Sequence, residues 1–536
     1  GKDALDANTT ASNNTAIGDG ALTANTTATG NTALGSNSLF TNTTGAQVTA
    51  GGAYSLYSNT TGDDNTAFGY YCLFANTTCA SNTAVGYAAL TANTTGTGNT
   101  GLGHTALAAN TTANYNVGVG YVALNANTTG AENTGIGTGA LYVNTTGDNN
   151  VGVGRNALSA NTTADNNTAV GYYALAANTT AEGNTAVGQA CLDANTTGAS
   201  NTAVGKAALG ANTTASYNTA VGDIALAANT TGAGNVAVGY AALDANTTAS
   251  YNSAVGLSAL TANTTGNRNT GLGNSAGGTI TTGGYNTAVG SSSMLGATIT
   301  GDDNIAIGSW HDGVVEGPLS ALTSGGQNAA MGNGALKLLT TGSANIGIGY
   351  AAGDVITTGG QNVLVGNLCD PSAADGTNQI VMGYNGTGSG NGTITVADGA
   401  TDSTMTLGGT TWSAPSDIRY KEDIQDEVVG LNFINELRPV TFLWKKEKDL
   451  PKDHIAYVEG SEERTMNGIY NHGFVAQEVK EVIDKYPDIK EGFDLWRVDE
   501  VEDRQRVGES ALIPMLVKAV QELSAEVEQL KSKIEE

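Results

Sequence analysis

Apolar and small residues recur with a period of seventeen along residues 1–366, as in the segment from Asn235 to Tyr251. If Asn14 is taken as position one, glycine occupies position five in seventeen copies, from Gly18 to Gly290. Leucine occupies position nine in fifteen copies, and Asn-Thr-Thr closes the same fifteen. A fixed period of this length is the signature of a stacked repeat, in which each unit contacts only its neighbours. The pattern therefore predicts a solenoid.

Each repeat contains two short apolar segments. Position four is usually Val, Ile, Leu or Phe, and the Thr of position two becomes Val or Ile in other copies, as at Val117 and Ile305. We take this exchange to indicate a short strand. Its residues at positions two and four point inward, and it ends at the glycine of position five. Ala-Leu at positions eight and nine predicts a second inward strand, and Asn-Thr-Thr predicts the return turn. The expected fold class is mainly β, a parallel β-solenoid or β-roll of about twenty coils spaced ~4.8 Å apart.

The repeat changes after Gly273, and an insertion from Trp310 to Gly326 breaks its register. We expect a lateral loop there, with Trp310, His311 and Asp312 as candidate binding residues. An exposed tryptophan stacks well on a sugar ring, but the same residue also serves to anchor its own loop. Both interpretations stay open for this insertion.

Three further segments follow the 1–366 shaft. Residues 367–412 keep strand-like alternation between glycine-rich turns and predict a β-structured neck. Residues 413–507 combine helical and strand patterns and predict a small α/β domain. Residues 508–536 predict a helix with a heptad seam that is typical of a coiled coil. The seam residues are Ile513, Leu516, Val520, Leu523, Val527, Leu530 and Ile534.

Charge supports this division. Residues 1–410 hold 5 Lys and Arg against 21 Asp and Glu, whereas residues 411–536 hold 17 against 28. The net charge of −27 disfavours binding to nucleic acid, which needs cations to displace counterions. We also expect no membrane-spanning segment, because no run of 18 apolar residues occurs. The chain begins in mid-repeat, so we expect a segment that precedes Gly1.

The repeats resemble two kinds of fibrous protein. Asn-Thr-Ala-Val-Gly-Tyr-x-Ala-Leu and Ile-Thr-Thr-Gly are similar to the repeats of phage tail-fibre shafts, and more distantly to the head repeats of trimeric autotransporter adhesins. Proteins of both kinds are homotrimers of β-rolls. The resemblance therefore implies that three copies of this chain assemble.

The C-terminal motifs resemble the endosialidase-type intramolecular chaperone domain of phage tailspikes and fibres, which also occurs in the myelin regulatory factor. The motifs that carry this resemblance are Ser416-Asp417-x-Arg419-x-Lys421, Leu437-Arg-Pro-Val-x-Phe442, Gly473-Phe-Val-Ala-Gln-Glu-Val479 and Leu512-Ile-Pro-x-Leu516-Val-Lys-Ala-Val-Gln-Glu-Leu523. The resemblance implies a trimeric folding clamp that ends in a coiled coil and releases itself by cutting the chain.

The same resemblance assigns the chemistry of that cut. The Pro415–Ser416 bond is the scissile bond, Ser416 the nucleophile and Lys421 its base, with Asp417 and Arg419 in support. A serine hydroxyl attacks poorly until a base takes its proton. A lysine acts as base only when neutral, which requires removal from water or a nearby cation. We expect burial on trimer assembly to provide this condition.

We therefore expect a structural and adhesive fibre of a phage or phage-like particle, extracellular on the virion and assembled in the host cytoplasm. Its expected partners are two further copies, a host-surface receptor such as a glycan, and the particle or baseplate, which it would reach through the segment before Gly1. The alternatives are a bacterial trimeric surface adhesin and a polysaccharide-degrading tailspike. The repeats lack the clustered carboxylate pairs of a glycosidase, so we expect no enzyme chemistry beyond self-cleavage. No cofactor or metal is implied.

Overall fold

The structure is a computed structural model that describes residues 1–310, 316–399, 401–409, 412–413, 416, 418–452, 454, 456–487, 489, 495–498 and 505–535. The chain divides into two compact units, Gly1–Pro415 and Ser416–Glu536. Each unit has its own buried core.

The first unit is a β-solenoid with one three-residue strand in each coil. Each strand covers positions two to four of its repeat. The strands are β1 (Thr15–Ile17), β2 (Thr32–Leu34), β3 (Thr49–Gly51), β4 (Thr66–Phe68), β5 (Thr83–Val85), β6 (Thr100–Leu102), β7 (Val117–Val119), β8 (Thr134–Ile136), β9 (Val151–Val153), β10 (Thr168–Val170), β11 (Thr185–Val187), β12 (Thr202–Val204), β13 (Thr219–Val221), β14 (Val236–Val238), β15 (Ser253–Val255), β16 (Thr270–Leu272), β17 (Thr287–Val289), β18 (Ile305–Ile307), β19 (Ala329–Met331), β20 (Ile346–Ile348) and β21 (Val363–Val365).

Successive strands pair in parallel and in register. Thr168 lies opposite Thr185, for example, and Val170 opposite Val187. This confirms the predicted parallel solenoid. The prediction of a second strand in each coil is wrong, because the leucine of position nine has a left-handed backbone, with φ near 52° at Leu158. That segment is still hydrogen-bonded from coil to coil, since the Leu158 N–H donates to the Ala174 carbonyl at 3.0 Å.

The prediction that positions two and four point inward is also wrong. The inward residue of each strand is position three, where Ala169 and Ala186 are fully buried, while Val170 and Val187 are exposed. The leucine of the preceding coil leaves little room inside. A Cβ atom added to Gly118 at position three would lie 3.1 Å from the Cγ of Leu107. Only alanine and glycine fit there in most coils, so the larger β-branched residues face outward.

Two ladders of buried asparagines fill the polar part of the interior. At position twelve, the Asn144 amide donates to the Asn127 side-chain oxygen at 2.8 Å and to the Gly147 carbonyl at 2.9 Å. At position one, the Asn133 amide donates to the same Gly147 carbonyl at 2.8 Å. Because a buried amide is costly unless it is hydrogen-bonded, these ladders specify both the turn and the coil-to-coil register.

The changed repeat after Gly273 keeps the interior filled by a paired exchange. Position nine becomes Gly277, and position twelve becomes Ile280, which is fully buried. A Cβ atom added to Gly277 would lie 2.9 Å from the Cδ1 of Ile280, so the isoleucine occupies the space that the leucine side chain fills in other coils. Gly353 and Ile356 repeat this exchange. An apolar rung thus replaces the asparagine rung.

The sheet continues through the predicted neck. Strand β22 (Ile380–Tyr384) is parallel to β21, and β23 (Thr393–Asp398) is parallel to β22. Strand β24 (Thr401–Thr406) then turns back antiparallel to β23. The neck therefore belongs to the same compact unit as the coils.

Among its described residues, the second unit contains three α-helices and two pairs of antiparallel strands. Its core consists of Val429, Phe433, Leu437, Val479, Val482, Leu495, Leu512 and Met515. Short 3-10 turns lie at Ile418–Tyr420, Glu447–Asp449 and Glu509–Leu512. The helices and strands are α1 (Leu431–Glu436), β25 (Val440–Phe442), β26 (Asn471–Gly473), α2 (Ala476–Ile483), β27 (Trp496–Val498), β28 (Gln505–Val507) and α3 (Ile513–Glu535).

The glycine of position five permits close contact between coils, which makes Gly171→Ala strongly destabilising. Gly171 has φ +141°, and an added Cβ would lie 2.3 Å from the Gly188 carbonyl oxygen. We expect a loss of at least about 1–3 kcal/mol from backbone strain alone. A lower midpoint of thermal unfolding would show it.

The matched control for this variant is Gly183→Ser, at position seventeen. Gly183 has φ +68° and only a distant contact, and Ser200 already has a left-handed backbone at the same position of the next coil. We expect its unfolding midpoint to stay close to that of the unmodified chain. Equal midpoints for the alanine and serine variants would contradict the role of the position-five glycine.

Candidate functional site

The structure brings Ser416 and Lys421 together at the start of the second unit. The Lys421 Nζ donates to the Ser416 Oγ at 2.6 Å. A 3-10 turn over Ile418–Tyr420 lies between them, and the Lys421 N–H closes it on the Ile418 carbonyl at 3.2 Å. The turn explains the approach, since it brings Lys421 back towards Ser416. Arg419 lies within this turn and is exposed.

The geometry suits a nucleophile and its base, but in the single chain the lysine is the donor. An ammonium group that donates to a hydroxyl holds the proton that a general base must lose. Both Ser416 and Lys421 are exposed. The single chain therefore does not shield the pair from water. Pro415 and Asp417, the other residues predicted for this site, lie outside the described residues.

Two motifs of the C-terminal resemblance, residues 437–442 and 473–479, lie side by side. Strands β25 and β26 pair antiparallel, with Val440 opposite Gly473. The Arg438 guanidinium next to β25 forms a two-point ion pair with Glu478 of α2, in which Nε lies 2.8 Å from a carboxylate oxygen. Hydrogen bonding to this guanidinium lowers the pKa of Glu478. The pair joins two segments that lie forty residues apart, and it is exposed, so it aligns them more than it stabilises them.

The two sides of helix α3 have different environments. Met515 and Ala519 are buried against the core, and the Glu522 carboxylate accepts the Leu431 N–H at 2.8 Å, which satisfies a free donor at the start of α1. The seven predicted seam residues lie on a neighbouring face of the helix and are exposed, from 42% at Val527 to 84% at Ile534. The seam is therefore an apolar face that the single chain leaves open.

Sequence reasoning missed a second open apolar surface, which we call the fourth-position stripe. Its residues are 36–61% exposed and recur along the coils, while the remaining coils carry Gly51 or the half-buried valines Val119, Val153, Val238 and Val289 at the same position. The stripe consists of Ile17, Leu34, Phe68, Val85, Leu102, Ile136, Val170, Val187, Val204, Val221, Val255, Leu272, Ile307, Met331, Ile348 and Val365. The signal for it was the alanine or glycine of position three, which marks the crowded inner side.

The structure places Trp310 at a shallow cleft. Its ring is about half exposed, and Ser292, Glu316 and Ser320 line the cleft, whose volume is about 420 Å³. His311 and Asp312, the other residues predicted for the lateral loop, lie outside the described residues. Trp310 is thus accessible, and its role in binding stays a prediction.

The four cysteines are free and buried. Burial raises the pKa of the Cys72 and Cys191 thiols to about 12. Such thiols stay protonated and unreactive near neutral pH. The structure thus supports a packing role for these two residues.

Comparison with known proteins gives one match. A family model described as the chaperone of endosialidase matches residues 416–488. No match is found among curated proteins or among solved structures. The match begins at Ser416, the first residue of the second unit. With the solenoid of about 22 coils that precedes it, this domain fits a phage tail fibre that carries a C-terminal chaperone domain.

Within the part of the chain that the structure describes, no helix combines the length and apolar character needed to cross a bilayer.

Proposed function

We propose that this chain is the shaft of a host-attachment fibre of a phage or phage-like particle, assembled as a homotrimer by its C-terminal unit. The observation that carries the proposal is the chaperone-of-endosialidase match directly after the last coils of a long solenoid. A shaft of this kind holds a receptor-binding surface away from the particle. It would be extracellular on the virion after assembly in the host cytoplasm.

The open apolar faces support assembly of three copies. Monomeric soluble proteins rarely expose a contiguous apolar patch larger than a few hundred Å². The fourth-position stripe runs along the solenoid from Ile17 to Val365, and the seam of α3 adds a second apolar face. Heptad seams of this kind are buried in the interior of a coiled coil. Two further copies would cover both surfaces.

The sameness of the coils supports a role for the chaperone. A slip of seventeen residues between copies recovers nearly the same contacts, because every coil presents the same types of residue to its neighbours. When many arrangements of the chains have nearly the same energy, the chains become trapped in wrong ones. A coiled coil at one end holds three chains in step before their solenoids associate. The C-terminal unit would thus fix the register of the shaft.

We further propose that the unit then cuts itself off at Pro415–Ser416. The 2.6 Å contact between Ser416 and Lys421 supports this step. Assembly that covers the two exposed side chains would favour a neutral lysine, which can take the serine proton. The hydroxyl oxygen would attack the Pro415 carbonyl carbon, the C–N bond to Ser416 would break, and the proton would pass to the leaving amine of Ser416. A water molecule would then hydrolyse the resulting ester, which frees the Pro415 carboxylate and the Ser416 hydroxyl and separates the two parts of the chain. Cutting would then depend on correct assembly.

The trimer is tested by a change on the seam. The test uses the uncut Lys421→Ala chain, which should sediment at three times the chain mass of 53.9 kDa, and the seam changes are made in the same background. Leu523→Glu with Leu530→Glu should abolish the trimer, because charges in a coiled-coil interior lose their hydration. Both leucines are exposed in the single chain, so the fold of the protomer should survive. Analytical ultracentrifugation gives the masses, and circular dichroism reports the fold.

The matched control places the same two charges on the opposite side of α3, as Ala525→Glu with Ser532→Glu. Both residues are exposed and lie outside the seam. This control should remain trimeric. A monomeric Lys421→Ala chain, or a trimer that survives both seam charges, would overturn the proposed assembly.

Self-cleavage is tested by Lys421→Ala. In freeze-quenched samples on denaturing gels, the unmodified chain should split at 415/416, whereas the alanine variant should stay full length because it lacks the base. Lys452→Ala is the control and should split normally, since Lys452 is an exposed lysine well separated in sequence from the pair. Splitting of the Lys421→Ala variant at 415/416 would show that the proposed base is wrong.

A further inference from the structure

A column of stacked aromatic rings lies on the solenoid at position six. Tyr70, Tyr87, His104 and Tyr121 occupy four successive coils. Their ring centroids are 5.8, 5.0 and 5.3 Å apart, and their planes are within 28° of parallel. Each ring therefore presents its faces to the rings above and below. A sugar could not stack on the middle of the column, because those faces are already covered.

The column ends at Tyr121, which has one face open. The next coil carries Thr138 at position six, and no ring among the described residues 1–310 stacks on that side of Tyr121. The next position-seven residue is Gly139, which has no side chain to fill the gap. A groove of about 540 Å³ results, and Tyr142 lies on its wall. The groove thus lies where one further ring would continue the column.

Polar groups around the groove are not used by the fold. The side-chain amide of Asn156 and the hydroxyls of Thr138 and Tyr121 have no hydrogen-bond partner within residues 1–310 of the structure. Asn156 lies over the glycine, with its Oδ1 2.4 Å from the position of a Cβ added to Gly139. No charged residue lines the groove. A ligand for this site should be uncharged, with one flat apolar face and several hydroxyls.

We propose that this groove binds a neutral pyranose ring of a surface glycan, stacked on the free face of Tyr121. The C–H face of a pyranose matches the electron-rich face of a tyrosine ring, and its hydroxyls suit the Asn156 amide and the Thr138 hydroxyl. The sugar takes the place of the missing ring. The groove is lined by residues at positions six, seven, ten and eleven of the coils, whereas the fourth-position stripe lies at position four. A trimer that assembles through the stripe would have to leave those positions accessible. The inference rests on the proposed host attachment and gives it a site.

The test fills the groove with a protein ring. Thr138→Tyr continues the column, and the fold tolerates tyrosine at position six, as at Tyr87 and Tyr121. The probes are a panel of immobilised neutral hexose and N-acetylhexosamine oligosaccharides, with the intact full chain as analyte. We expect the unmodified fibre to bind at least one probe and Thr138→Tyr to bind it at least about tenfold more weakly, because a stacked ring and its contacts are lost.

The matched control is Gln189→Tyr, which adds a ring at position six in the coil after Tyr172, outside the groove. It should bind the probe within about twofold of the unmodified fibre. Failure of the unmodified fibre to bind any probe, or equal binding by Thr138→Tyr, would overturn the groove as a glycan site.

Adhesion of the labelled fibre to a panel of bacterial cells, measured in parallel, separates this proposal from the proposed attachment function. If the Thr138→Tyr fibre still adheres to cells, the proposed glycan site in the groove is wrong, whereas host attachment is not contradicted. Adhesion that Thr138→Tyr removes and Gln189→Tyr keeps would support both. An unmodified fibre that adheres to no cell would count against host attachment, and the oligosaccharide panel would still decide the groove.

Discussion

The solenoid depends on the contact of each coil with the next at the spacing of hydrogen-bonded strands. This contact brings the Cα of a position-five glycine against the carbonyl of the following one, so that a Cβ at Gly171 would lie 2.3 Å from the Gly188 oxygen. The buried amides follow from the same contact, because the Asn144 amide reaches the Asn127 oxygen at 2.8 Å. Where the repeat changes, as at Gly277 and Ile280, the interior volume is kept. The seventeen-residue period thus follows from the stacking of one coil on the next.

Under the proposed function, the same stacking explains why a second unit is needed. Coils of nearly the same sequence can associate in several registers, because position four carries an aliphatic residue in most of them. A separate domain with its own core and an open heptad seam can align three chains. In this view the chemistry at Ser416 and Lys421 serves assembly, since it would remove the domain once the shaft is in register.

The sequence predicted the period, the parallel solenoid and the C-terminal chaperone domain, because these depend on spacing and on specific motifs. It did not predict which side of the strand is buried. The replacement of Thr by Val at position two indicates an apolar environment. The replacement does not tell whether that environment lies inside the coil or is formed by another chain. The crowding of Leu107 against Gly118 decides the matter, and it is visible only in three dimensions. The groove at Tyr121 was also missed, because it forms where the coil after Tyr121 carries no ring at position six.

The most direct measurement compares the same shaft after production by two routes. Residues 1–415 are produced either alone from the start or within the full chain, and in the second case residues 416–536 are removed after folding. The account predicts a soluble, uniform three-chain particle from the second route, and aggregated or irregular material from the first. The same soluble, uniform trimer from both routes would contradict the claim that the C-terminal unit sets the register of the shaft.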